Sequence, residues 1–248
     1  MTALEDFRQW GEELEKLLLL RTSPLAVKML ESQSDIPEGA VQPWKDRGIH
    51  LAQCQAFALS RRSKETVAML KEDQWCFAPL IAYGLVDKPE DPELQLFVNF
   101  PTFARGKYVG IVSAPLRSTP FEPQVVVIYC NTAQLRSLLF PYHLAGQEEV
   151  VSYHFFPPAC AYQVVSVMES GKLMVTLPDP GDFNRALSGE DEIVLSVPKD
   201  EMARLVDGVR QLDKNDEFSY ARPNLYMLHD FPQPEFYQML FRRWGLSK

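Results

Sequence analysis

Apolar residues recur every three or four positions at the start of the chain. Leu4, Phe7, Trp10, Leu14, Leu17 and Leu18 follow that spacing, with charges between them. This is one stripe of a helix, so residues 3 to about 20 are expected to be helical, with Thr22–Pro24 ending the run. "PLAVKML" (24–30) alternates apolar with small or polar residues and predicts a short strand. "SQSDIPEGAVQPWKDRG" carries two prolines and two glycines and reads as a loop. "IHLAQCQAFALSRR" (49–62) is rich in helix formers, and Leu51, Cys54, Ala58 and Arg61 fall along one stripe. "ETVAMLKEDQW" fits either state. "CFAPLIAYGL" predicts a helix after Cys76 that Gly84 closes, and "DKPEDPEL" a polar connection.

The middle of the chain changes period. "LQLFVNF", "YVGIVSAPL" and "PQVVVIYC" hold the β-branched and aromatic residues that suit a pleated surface. The last is almost wholly apolar, as for a strand buried on both faces. Asn131 or Thr132 then suits the cap of a following helix. "AYQVVSVMES" reads as helix or strand. "KLMVTLP" and "DEIVLSVP" read as strands, and "KDEMARLVDGVRQLDK" and "PEFYQMLFRRWG" as helices. No fixed-period repeat or low-complexity tract interrupts the pattern. The order predicts one α+β domain over 1–248, a mixed or antiparallel sheet with peripheral helices.

Composition narrows the class. In 248 residues the apolar share is 46%, enough for a substantial core. A net charge of −8, with no basic run longer than Arg-Arg, argues against a nucleic-acid partner. The first residues are acidic, unlike a secretory signal, and no stretch is apolar enough to span a membrane. A cytoplasmic protein is therefore expected, and in a reducing compartment its four cysteines would not form structural disulfides.

Those cysteines sit in apolar settings: "LAQCQAF", "DQWCFAP", "VVIYCNT" and "PPACAYQ". No Cys-x-x-Cys spacing signals a zinc ribbon or a redox pair. Buried thiols used as small apolar side chains are one reading. Convergence from distant segments is the other. Cys76 and Cys160 each begin a segment, where backbone N–H groups favour thiolate, and bulky neighbours would keep water away, which matters for an iron–sulfur cluster because hydrogen bonding and exposure set its potential.

The chain also resembles the uncharacterised family numbered 169 among the domains of unknown function, common in anaerobic bacteria and archaea. The resemblance is carried by "LRTSPLAVKML", "CQAFALSRR", "WCFAPLIAYGL", "PQVVVIYCNTAQLRSLL", "PPACAYQVV" and "LPDPGDFNRALSGEDEIVLSVP", in order across most of the chain. It picks out Cys54, Cys76 and Cys160 and leaves Cys130 aside. Three such cysteines imply an oxygen-sensitive metal centre. A [4Fe-4S] cluster on three thiolates would leave one iron for a fourth ligand or a substrate, and zinc is the competing metal. The role implied is redox chemistry or small-molecule activation, with a small-molecule substrate or a redox partner protein. The alternatives are a metal-free protein that binds a small ligand in an aromatic-rich pocket, and an enzyme using Cys160 or Cys76 as a reactive thiol.

Other candidates attach to the same picture. Gly181, Asp182, Asn184 and Arg185 form the most polar loop, between two strands. It reads as an anion-binding loop with Arg185 clamping a carboxylate or phosphate, or as a hairpin loop in which Arg185 pairs with Glu190 or Glu192. Arg61 shares a helix face with Cys54; it would neutralise an anionic cluster, or cap the helix end with Arg62. His50 and His154 precede Cys54 and Cys160 and offer a fourth ligand, although no His-x-x-x-His pair is present. Nucleophile elbows and phosphate-binding glycine loops are missing, so hydrolase, ATPase and standard dinucleotide chemistry have no support.

Overall fold

In the computed structural model, which describes residues 3–146, 150, 152, 158–215 and 235–246, six strands form one sheet. They are β1 (Leu25–Leu30), β2 (Val67–Leu70), β3 (Gly110–Pro115), β4 (Val125–Cys130), β5 (Met174–Thr176) and β6 (Ile193–Pro198). Their order is β2-β3-β1-β4-β6-β5, and every pairing is antiparallel. The α+β class is as expected, with the antiparallel of the two sheet types. The helices that matter below are α1 (Ala3–Leu18), α2 (Gln53–Ala58), α3 (Phe77–Ala82), α4 (Thr132–Gly146), α5 (Pro180–Arg185), α6 (Met202–Asn215) and α7 (Glu235–Arg243).

Successive strand residues point to opposite faces, and both faces of the sheet are covered. Every residue of β3 and β4 is buried. On one face Val27, Met29, Met69, Ile111, Val127 and Tyr129 pack with Phe57, Ile81, Tyr83, Val164 and Val165 in a single apolar cluster. The intervening residues, such as Val126, Ile128 and Leu195, are equally buried and turn to the other face. Helices α1 and α4 each pack on α6, burying Leu14, Leu18, Leu138, Leu205 and Val209. A close helix contact sets their spacing: a Cβ at Gly208 would lie 2.9 Å from Pro141 Cβ. Each large core side chain contributes about 1.5–3 kcal/mol by leaving water.

Besides a short helix over Pro43–Arg47 in the stretch expected to be a loop, three local readings change. The helix expected from Ile49 begins only at Gln53, because Leu51 is held in an extended bridge to Gln74. Its amide donates to Asp73 O, and Trp75 N donates back to Leu51 O. "LQLFVNF" is helical, not a strand: Asp91 accepts from Glu93 N and Pro92 takes the first helical position, so the chain turns into a helix over Pro92–Gln95 and a 3-10 turn over Leu96–Val98. The loop between β5 and β6 contains α5.

The chain divides into two compact units, Met1–Phe218 and Ser219–Lys248. Helix α7 belongs to the second and leaves Phe236, Tyr237 and Met239 exposed. Among the described residues no helix is long and apolar enough to cross a membrane.

Candidate functional site

Four helix starts surround one cavity. Ala52 is the N-cap of α2, which puts Gln53 and Cys54 in its first turn. Cys76 is the N-cap of α3. Pro158 precedes a helix over 159–170 and puts Cys160 in its first turn. Asp179 is the N-cap of α5, with Gly181 and Asp182 in its first turn. All of these residues line the cavity, together with Pro79, Gln163 and Arg185. The three cysteines that the resemblance singled out therefore meet at one place, 106 residues apart at the extremes (160 − 54).

Local chemistry explains the convergence. One Asp179 carboxylate oxygen accepts from Gly181 N at 2.6 Å and Asp182 N at 3.2 Å, and Asp182 accepts from Asp179 N at 3.1 Å. This is a reciprocal capping box, and Pro180 sits where a helix tolerates proline. The other Asp179 oxygen accepts from Ala159 N at 3.0 Å and ties the Cys160 helix to α5. Gly181 forms a wall: a Cβ there would lie 2.8 Å from Asp179 Oδ1, 3.1 Å from an Arg185 nitrogen and 3.6 Å from Cys54 Sγ.

Two of the cysteine helices then widen. α2 runs into a π turn over Leu59–Ser63, and the Cys160 helix into one over Tyr162–Ser166. Such turns are rare and cluster at functional sites. Here one buries Arg61 and the other puts Gln163 on the cavity.

The thiols are partly accessible, but their surroundings resist charge. Burial, then the Asp182 and Asp179 carboxylates, push the Cys54 thiol up to about 12. Burial raises Cys76, although the Ala78 amide and Arg185 pull it back. Burial and the neighbouring Asp179 raise Cys160 well above an ordinary thiol. Without a cation all three are held as neutral thiols. Asp182 is itself pushed up to about 6 by burial and Asp179, against the Asp179 amide, the Tyr129 hydroxyl and Arg61. Tyr129 donates to Asp182 Oδ1 at 3.0 Å.

The hydrogen-bonding capacity left over in the wall is that of donors. Gln53 and Gln163 are 2% and 1% exposed, and among the described residues the Nε2 of each has no partner; Gln53 Oε1 accepts from Gln74 Nε2 at 3.4 Å, and Gln74 Oε1 behind it is an unmatched acceptor. The Arg185 guanidinium lies 4.7 Å from the centre of the exposed Trp75 ring and makes no hydrogen bond among the described residues. The cavity is about 40 Å³. It admits a few atoms, against several hundred Å³ for an organic cofactor or drug-sized ligand.

Arg61 does not line the cavity. It is 1% exposed and makes a two-pronged pair with Glu192 at 2.9 and 3.1 Å, its guanidinium 4.0 Å above the Tyr129 ring. It neither caps a helix end in solvent nor touches Cys54's cavity, because the π turn swings it toward the sheet. Glu192 pairs with Arg61 rather than with Arg185. Cys130 is buried on β4, its thiol 3.6 Å from Ile193 O. His50 stacks on Trp44 at 4.4 Å and meets Glu72 O at 2.8 Å, away from the cavity. His154, with most of "SYHFFPP", lies outside the described residues. Among the described residues no three His, Cys, Asp or Glu side chains stand close enough to share one metal ion. The sequence reading missed Gln53, Gln163 and Asp179. Asp-Pro-Gly-Asp was a visible cap signature, and Gln163 a lone amide in an apolar run.

Comparison with known proteins agrees with the resemblance. The chain belongs to the DUF169 family, described as uncharacterised ArCR, whose model matches residues 13–208. An uncharacterised protein of Methanocaldococcus jannaschii is 22% identical over 225 residues, 83% of this chain and 94% of the relative. No solved structure matches the chain.

Proposed function

We propose that this member of the DUF169 family is a cytoplasmic protein that binds an iron–sulfur cluster, a [4Fe-4S] centre, through Cys54, Cys76 and Cys160. The observation that carries the reading is the meeting of three thiols from three separate helix starts on one small cavity. The thiols suit the group by type, and because the cavity between them is only about 40 Å³, the segments that carry them would have to part to take a four-iron, four-sulfur core. Thiolate and sulfide sulfur accept hydrogen bonds, and Gln53 and Gln163, whose buried Nε2 atoms are unmatched among the described residues, line that cavity. Thiols held neutral by burial become good ligands once a cation replaces their protons. A single zinc would need its ligands around one ion at about 2.3 Å from each sulfur.

Bound there, the cluster would supply one-electron redox chemistry or an open iron for activating a small molecule. The chain's own residues do the rest. Cys54, Cys76 and Cys160 hold the group, and the two amides stabilise negative charge on sulfur. Asp179 fixes the relative position of two ligand-bearing segments through Ala159 N.

One other reading has an observation behind it. Three thiols kept neutral by burial also suit a metal-free pocket for a small molecule. Protein purified without oxygen separates the two by iron, zinc and acid-labile sulfide per chain. About four irons and four sulfides, with broad absorbance near ~400 nm, are expected. Cys54→Ala, Cys76→Ala and Cys160→Ala each abolish them, and Cys130→Ala retains them. One zinc without sulfide, or no metal in protein never exposed to air, overturns the cluster.

A further inference from the structure

We infer that a second cavity, the cleft between the turn at Lys71–Asp73 and the segment 104–109, binds a small organic acid. Lys71 and Arg105 hold its carboxylate, and Leu70, Leu85 and Tyr108 carry its apolar body. This goes beyond the reading above and does not rest on it, since the cleft shares no residue with the thiol cavity.

Size is the first observation. The cleft is about 300 Å³, against about 40 Å³ at the thiols. It reaches the range in which organic ligands are held. Its floor is apolar and closed, with Leu70, Leu85 and Tyr108 only 4%, 3% and 5% exposed.

The second observation is that both walls are fixed. Asp73 is buried and accepts from Leu70 N at 2.8 Å and Trp44 N at 2.7 Å, which pins the turn that carries Lys71 and Glu72. Across the cleft, Gly84 O accepts from Gly106 N at 3.0 Å and from an Arg105 Nη at 3.2 Å. Gly84 has φ +67°, and a Cβ there would lie 2.5 Å from Ala104 O, so glycine is what lets the two turns meet. Walls already in place lower the ordering cost of binding.

The third observation is the polar capacity left at the rim. The Lys71 ammonium makes no hydrogen bond or ion pair among the described residues. Arg105 spends one nitrogen on Gly84 O and brings another to 3.5 Å from Asp87, and its remaining Nη makes no hydrogen bond among the described residues. The Tyr108 hydroxyl is also unmatched among them. It is not one of the sealed, unmatched atoms of the core, so a molecule in the cleft can reach it. The Lys107 ammonium stands 5.1 Å from the centre of the Tyr108 ring. Lys71, Arg105 and Lys107 thus face Glu72 and Asp87, a local excess of positive charge in a chain of net charge −8. An ammonium, a guanidinium edge and a hydroxyl beside an apolar floor match a carboxylate on an apolar body.

The test is calorimetry on the full chain, with phenylacetate, benzoate and hexanoate as probes. Phenylacetamide and phenethylamine keep the body of phenylacetate and replace its charge, while acetate keeps the charge and lacks the body. At least one probe acid should saturate at one per chain, and each control should bind tenfold or more weakly than phenylacetate or its best competitor. Added salt should weaken the binding. Arg105→Gln should cost tenfold or more in affinity, Lys71→Gln several-fold and Tyr108→Phe a few-fold, whereas Glu72→Gln should tighten it. Lys71 and Arg105 are exposed, and an unchanged denaturation midpoint checks that their variants fold. No saturable binding of any probe acid would overturn the inference. So would equal affinity for phenylacetamide, tighter binding of phenethylamine, or unchanged affinity in both Lys71→Gln and Arg105→Gln. Metal content does not enter these readouts, so failure here leaves the cluster reading untouched, and the reverse holds.

Discussion

Two buried polar clusters share the Tyr129 side chain, and they are built on opposite rules. On one side Arg61 lies over the Tyr129 ring and pairs with Glu192, which also accepts from Ser188 Oγ and Gly189 N. Burial alone would raise Glu192, but Arg61 and these donors hold its carboxyl below the usual range. Among the described residues neither partner leaves a buried side-chain atom unmatched. On the other side Tyr129 donates to Asp182 at the thiol cavity, where among the described residues the Gln53 and Gln163 Nε2 atoms and the Arg185 guanidinium have no acceptor. Folding accounts for the first cluster completely. The second carries an unmatched polar wall that folding alone does not justify, and that difference separates a structural ion pair from a binding site built on the same aromatic ring.

The largest effect should come from opening the matched cluster. Glu192→Ala leaves the Arg61 charge buried and alone, so a loss of about 3–5 kcal/mol in chemical denaturation is expected. Replacing both partners, as in Arg61→Met with Glu192→Leu, should recover most of that loss, because two apolar side chains strand no charge. A loss below about 1 kcal/mol for Glu192→Ala would mean that the pair is not the closed unit described here, and the contrast with the cavity would break.

Asp182 stands where the clusters join, and its effect is smaller and pH-dependent. Its carboxyl is held at about 6, against 3.8 for an ordinary aspartate. The folded state therefore binds this proton more tightly than the unfolded chain. Its contribution is most favourable below pH ~4 and is lost as pH rises through ~6, about 3 kcal/mol in all. Measured on metal-free protein, the stability of wild type relative to Asp182→Asn should fall by that amount between pH 4 and 7. A flat difference would place Asp182 in a solvated setting and detach the cavity from Tyr129.

How much of this could be read from the sequence depended on whether the signal was local. The run "VVVIYC" declared a strand buried on both faces, and β4 is one. The stripe from Leu4 to Leu18 declared α1. Cys54, Cys76 and Cys160 carry no spacing signal, since they lie on helix starts brought together only by the fold; their grouping came from the family resemblance. Arg61 was placed on Cys54's face by 3.6-residue periodicity, which a π turn does not obey. "LQLFVNF" has strand composition, yet the Asp91-Pro92 start just before it turns the chain into a helix. Gln163 was invisible for a different reason. A single amide in "ACAYQVVSVM" says nothing of whether it is matched until its neighbours in space are known.

That amide also supplies the smallest and most pointed test of the comparison. Gln163 is buried with its Nε2 unpaired, and an unsatisfied buried donor costs about 1–3 kcal/mol. Leucine has a similar volume and no donor. Gln163→Leu should therefore leave the metal-free protein as stable as wild type or more so, by about 1 kcal/mol, read as a shift of the denaturation midpoint at unchanged slope. In protein purified without oxygen the same variant should hold less iron and sulfide per chain. Gain of stability with loss of binding marks a residue kept for its ligand at a cost to the fold. A loss of more than about 1 kcal/mol would instead show that the amide is already satisfied in the folded chain. The cavity wall would then be a second closed structural cluster, no different in kind from Arg61 and Glu192.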